Sequence, residues 1–167
     1  MAGKIHIITG AVQTGKSSRL KDWISQRDDI GGILCVDNKG LRHLMEIRNR
    51  KVHVFQLSDV DADIEEVIEV GRFKFLSSAF DLADEIIKRD AEADCNYLVV
   101  DELGKLEMKD HGLYEAISHV VHMCQSGQAG FDLILIIRDY LLEDAIEKFS
   151  LASAKIYGIE SFVEEHP

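Results

Sequence analysis

Apolar and polar positions along the chain switch between two periods, and each switch marks an element. Residues 4–9, Lys4-Ile5-His6-Ile7-Ile8-Thr9, form a short apolar run that predicts a buried strand. Leu20, Trp23, Ile24 and Arg27 then recur at helical spacing and predict a helix over 18–27, which Asp28-Asp29-Ile30-Gly31-Gly32 should end. Strands are predicted at 33–36, 42–47 and 52–57, separated by the turn residues Asp37-Asn38-Lys39-Gly40 and the basic turn Arg48-Asn49-Arg50-Lys51. Residues 31–57 therefore read as β-rich and locally antiparallel, and 70–76 as a further strand or extended segment.

Ser78 and Asp81 have capping-box spacing ahead of a helical stripe made by Phe80, Ala83, Ile86 and Ile87. Residues 97–101 suit a central strand, 113–124 a helix, 133–137 a second apolar strand, 140–149 a helix and 154–159 a final edge strand. Alternating strands and helices predict an α/β sheet with helices on its faces, made mixed by the β-rich insert after the first helix. The single proline is Pro167, and no linker or repeat divides the chain, so residues 1–167 read as one domain.

Composition narrows the class. The 167 residues are 46% hydrophobic and 29% charged, as in an ordinary globular protein. A formal net charge of −11 argues against a general nucleic-acid surface, which needs a basic patch. No apolar run approaches the roughly 20 residues of a membrane span, and no signal-peptide core precedes the first strand. Cys35, Cys95 and Cys124 lack paired CxxC spacing and read as reduced thiols of a cytoplasmic protein.

The chemistry is concentrated in Gly10-Ala11-Val12-Gln13-Thr14-Gly15-Lys16-Ser17, which fits the phosphate-binding P-loop pattern. A predicted strand precedes it and a predicted helix follows, which is the context such a loop needs. The glycines let the backbone turn so that successive N–H groups point inward, and the helix start, through Ser18, adds its own free N–H groups. Lys16 is expected to reach the β- and γ-phosphates and Ser17 to bind Mg²⁺ through its hydroxyl; Gln13 and Thr14 read as filler.

Asp101 and Glu102 end the apolar strand Tyr97-Leu98-Val99-Val100. An aspartate there is the usual partner of a P-loop, holding Mg²⁺ opposite the serine hydroxyl. Glu102 is placed to orient or deprotonate an attacking water. The wider run Asp101-Glu102-Leu103-Gly104-Lys105-Leu106-Glu107 resembles the Asp-Glu-Ile-Gly-Lys-Met-Glu signature of the small P-loop nucleoside-triphosphatase family, whose members include thermophile enzymes and the human cancer-related enzyme. The resemblance continues through Gly31-Gly32 and Gly71-Arg72-Phe73, but family members often carry Thr, Glu and Arg where this chain has Ile33-Leu34-Cys35-Val36-Asp37-Asn38. It implies a P-loop three-layer α/β sandwich with a mostly parallel sheet. It also implies Mg²⁺-dependent hydrolysis of the β–γ bond of ATP, GTP and other triphosphates, with broad base tolerance.

Other residues are weighed on the same pattern. Lys105, with Gly104, is a candidate to neutralise charge on the transferring phosphate, with Glu107 as its ion-pair partner. Arg138 ends the strand 133–137, where it can serve the γ-phosphate or pair with Asp139; Arg72 is a similar candidate, acting within one chain or across a subunit contact. His119 and His122, near His111 and Cys124, read as surface histidines rather than metal ligands. The run Asp59, Asp61, Asp63, Glu65 and Glu66 lacks the glycine and distal glutamate of a Ca²⁺ loop and reads as a solvated helix start. Two other classes stay open: a small-molecule P-loop kinase, whose lid would have to come from Arg48-Asn49-Arg50-Lys51, and a non-catalytic nucleotide-binding adaptor. A guanine reader is disfavoured, because Asn38-Lys39-Gly40-Leu41 lacks the required aspartate and comes too early.

Overall fold

Strands of nearly unbroken aliphatic sequence need cover on both faces, and here they receive it. The computed structural model describes residues 2–10, 16–58 and 67–167, except for the side chains of Lys16, Ser17 and Glu102. In chain order the elements are β1 (Ile5–Gly10), α1 (Lys16–Ser25), β2 (Ile30–Asn38), β3 (Leu41–Glu46), β4 (Val52–Val54), β5 (Gln56–Leu57), β6 (Val67–Val70), β7 (Phe73–Leu76), α2 (Ser77–Glu92), β8 (Tyr97–Leu103), α3 (Lys105–Met108), α4 (Tyr114–Gln125), β9 (Asp132–Arg138), α5 (Leu142–Lys148), β10 (Lys155–Tyr157) and α6 (Ile159–Glu165).

The main sheet runs β10-β1-β9-β8-β2-β3-β4. The pairs from β10 to β2 are parallel, and β3 and β4 add antiparallel. A second, antiparallel sheet runs β5-β7-β6. This is the expected α/β fold, with the antiparallel insert following the first helix. Side chains alternate along the parallel strands. Ile7, Leu98, Val100, Leu133, Leu135 and Ile137 join the core under α2 and α4. Ile8, Val99, Ile134 and Ile136 join the opposite core, with Leu20, Trp23 and Ile24 of α1 and Phe162 of α6.

The β2–β3 hairpin turns on Lys39 and Gly40, both at positive φ (53° and 80°). That pair of left-handed residues is the two-residue turn whose twist suits adjacent strands. Phe55, Phe75 and Phe80 pack ring against ring, with centroids 4.8 to 6.3 Å apart, and tie the small sheet to α2. Among the described residues no helix is long and apolar enough to cross a membrane.

Four local expectations are corrected. Ile30-Gly31-Gly32 does not stop α1, which ends at Ser25, but opens β2. Gly32 has φ +101°, and a Cβ there would run into the backbone of Val99; a Cβ on Gly31 would press on Asp90 at 2.9 Å. Those glycines serve close approach to β8 and α2, not helix termination. Residues 70–76 form no single strand: Gly71, at φ +60°, and Arg72 turn the β6–β7 hairpin. Ser78 does not cap α2, because β7 feeds straight into the helix and Leu76 holds the cap position with no side-chain bond. The last strand ends at Tyr157, and Gly158 starts the unpredicted helix α6, whose Phe162 is fully buried 5.2 Å from the Trp23 ring.

Candidate functional site

Parallel strands bring their C-terminal residues to one edge of the sheet, where a ligand crevice forms. β1 reaches that edge at Gly10, and α1 begins at Lys16. Lys16 and Ser17 open α1, and Ser18 after them is exposed. The expected phosphate contacts at Ala11, Val12, Gln13, Thr14 and Gly15 lie outside the described residues.

β9 runs between β1 and β8 and sets the spacing of the site. Its register places Arg138 beside Gly10 and Ile136 beside Asp101, with an irregularity between Asp101 and Leu103. Arg138 is half-buried at the end of its strand. Asp139 after it accepts the N–H of Tyr140 at 2.8 Å.

Asp101 is only 3% exposed. β2 and β8 pair from Ile30↔Tyr97 to Ile33↔Val100, and beyond that point β2 turns its amide to a side chain. The N–H of Cys35 donates to Oδ2 of Asp101 at 3.0 Å, and the Cys35 thiol donates to the Asp101 carbonyl at 3.1 Å. A buried carboxylate needs such a donor, and a backbone donor is rigid.

Lys105 is the first residue of α3 and is exposed. Its ammonium lies 5.9 Å from the ring centroid of Tyr140, which is 53% exposed. The turns that follow β8 and β9 therefore lean together at the same edge as Gly10 and Asp101. Glu107 does not pair with Lys105 as expected. It is buried, and its oxygens accept the N–H groups of Gly104 and Leu113 at 2.8 and 3.1 Å.

Arg72 stands apart from this group, at the exposed tip of the β6–β7 hairpin with its guanidinium 5.1 Å from the Phe73 ring. His119 and His122 are exposed on α4, while burial pushes the Cys124 thiol on that helix up to about 11. The acidic residues 59–66 lie outside the described residues. The contacts of Cys35 and Glu107 were not read from the sequence. The Gly104-to-Glu107 spacing of three was the available signal for the second; a strand amide turning to a distant carboxylate leaves no local mark.

The model of the family described as NTPase matches residues 5–151. THEP1 from the hyperthermophile Aquifex aeolicus is similar in structure, with a TM-score of 0.70 at 17% identity over 93% of this chain and 89% of that one. A human cancer-related nucleoside triphosphatase is also similar, with a TM-score of 0.63 at 15% identity over 93% and 88%. At those identities the likeness shows a shared fold. No curated protein matches the chain.

Proposed function

The chain belongs to the NTPase family, and from that premise we propose that it hydrolyses nucleoside 5′-triphosphates, ATP and GTP among them, to the diphosphate and phosphate in a Mg²⁺-dependent reaction. One observation carries the reading: the family match spans β1, the start of α1 and β8, and Asp101 stands on the same sheet edge as Gly10 with β9 between them.

The loop from Gly10 to Gly15 and the first turn of α1 hold the phosphates by backbone N–H groups. Lys16 reaches the β- and γ-phosphates. Ser17 and Asp101 are hard oxygen donors of the kind Mg²⁺ takes. Asp101 already has one oxygen anchored by Cys35, so its carboxylate is in place before any ligand arrives. Among the described residues no three His, Cys, Asp or Glu side chains gather as a metal cage, and Mg²⁺ needs none, since substrate phosphates and water complete its shell. The ion, when bound, withdraws charge from the phosphate oxygens.

Glu102 accepts a proton from the attacking water. The water oxygen bonds to the γ-phosphorus, the bridging β–γ bond breaks, and its electron pair leaves on the diphosphate beside Lys16. Lys105 and Arg138 meet the charge that spreads over the transferring group. We read residues 1–167 as one domain. None of the three cysteines is in a disulfide, which fits the reducing cytoplasm in which we place the enzyme.

Phosphate release from ATP, GTP, CTP and UTP tests the proposal. All four should release phosphate with Mg²⁺ and none with excess EDTA. Release no greater than that of Lys16→Ala removes the reading.

A further inference from the structure

Glu107 lies on the single turn of α3, between the strand that carries Asp101 and helix α4, and is 4% exposed. Its Oε1 accepts the N–H of Gly104 at 2.8 Å, and its Oε2 accepts that of Leu113 at 3.1 Å. These amides stand on either side of the segment 105–112, so one carboxylate closes the whole loop. Bonds to an ionised acceptor are stronger than neutral ones, and burial keeps water from replacing them.

The loop needs such a closure. Asp110 and Gly112 both have φ of 63°, in the left-handed region. A Cβ on Gly112 would run into Oε2 of Glu107. The chain therefore carries no side chain at the point where the carboxylate must come close, and this steric fit is independent of the two hydrogen bonds. The clamp acts where the chain leaves β8: Leu103 is fully buried, Gly104 is held by Glu107, and Lys105 comes next, facing Tyr140 in the turn after β9.

We propose that Glu107 is a positioning residue of the hydrolytic site, holding the loop 104–113 in one conformation so that Lys105 presents its ammonium to the γ-phosphate. The inference rests on the triphosphatase reading and on the role of Lys105 in it. In this role Glu107 touches no substrate and acts on the reaction through Lys105.

Kinetics and amide exchange test it together. Glu107→Ala should lower kcat on the order of tenfold to a hundredfold, the scale of a misplaced group, with KM within about twofold. Lys105→Ala should lose a similar factor. The double variant should be no slower than Lys105→Ala by more than about twofold, because the second loss has already been taken. Glu107→Gln keeps the acceptor for Gly104 but sets an amide against the Leu113 N–H, so it should recover part of kcat and serves if Glu107→Ala fails to fold. Without nucleotide, hydrogen exchange at Gly104 and Leu113 should quicken in Glu107→Ala, and at Leu113 alone in Glu107→Gln. Independent, multiplicative losses in the double variant overturn the proposal. So does a wild-type exchange rate at both amides in Glu107→Ala. Should wild-type protein release no phosphate at all, the triphosphatase reading falls with the catalytic half of this one, and exchange still decides whether Glu107 holds the loop.

Discussion

The parallel half of the main sheet and the antiparallel insert differ in how completely they are sealed. Ile7, Ile8, Leu98, Val99, Leu133 and Ile134 are fully buried, whereas the insert exposes Val52 by 52%, Val54 by 50% and Phe73 by 43%. Strands packed on both faces cannot shift without opening cavities, so their ends are held in place. The candidate residues Gly10, Asp101 and Arg138 stand on those ends. β2 belongs to both halves. It pairs parallel with β8 as far as Val100 and antiparallel with β3 from Ile33 to Asn38, and Cys35, past the last β8 pair, turns its N–H to Asp101. The antiparallel extension thus supplies a fixing group to the parallel half while contributing none of the proposed catalytic residues.

The largest effect expected from this contrast is on turnover. Asp101→Asn should lower phosphate release at saturating triphosphate by at least about a hundredfold, while Val54→Thr should leave it within about twofold. Comparable losses in the two variants would erase the distinction. Stability should divide the same way, and chemical denaturation measures it. Leu98→Ala removes a fully buried side chain and should cost about 2–5 kcal/mol, whereas Val54→Ala should stay within about 0.5 kcal/mol.

The smallest effect is in pH dependence, and it separates the halves by window. Burial lowers His6, in β1, below its ordinary 6.5 despite the Asp132 carboxylate 3.1 Å away. A depressed histidine is neutral in the folded chain while the unfolded chain takes a proton, so stability falls as pH drops below 6.5. Glu46, in β3, is pulled up by burial, but bonds from His53, Arg89 and Asn49 outweigh that and leave it below its ordinary 4.5. Its contribution is intact above 4.5 and disappears as pH falls through the lowered value. Thermal midpoints across pH 3–8 should show the upper slope flattened by His6→Asn and the lower one by Glu46→Gln.

What was legible follows the same divide. Runs such as Ile5-His6-Ile7-Ile8 and Leu98-Val99-Val100 announce themselves because burial on both faces removes polar residues from both. The Asp101 strand was placed for that reason, and the helix after the glycine loop by the helical spacing of Leu20, Trp23 and Ile24 on its one buried face. Gly31-Gly32 was misread because a glycine pair looks alike whether it ends a helix or lets β2 approach Val99, and only the tertiary neighbour tells them apart. The β6–β7 hairpin was missed because one glycine makes its turn without a second punctuating residue. Glu107 was paired with the wrong partner because charge suggests a lysine, whereas burial favours backbone N–H groups.

One property of β1 bears on how the protein is made. Among the described residues its strand neighbours are β9 and β10, so Ile5 waits for Leu133 and His6 for Ile134 and Lys155. On the ribosome, a chain that has emerged through Leu103 carries both the glycine loop and Asp101, yet β9 and β10, which pair with the first strand, are still to come. The gap between the two is filled only when β9 slides in. Such distant pairing is slow and leaves apolar strand edges open for that interval. The proposed triphosphate site is therefore completed late in synthesis, although the glycine loop is among the first residues translated.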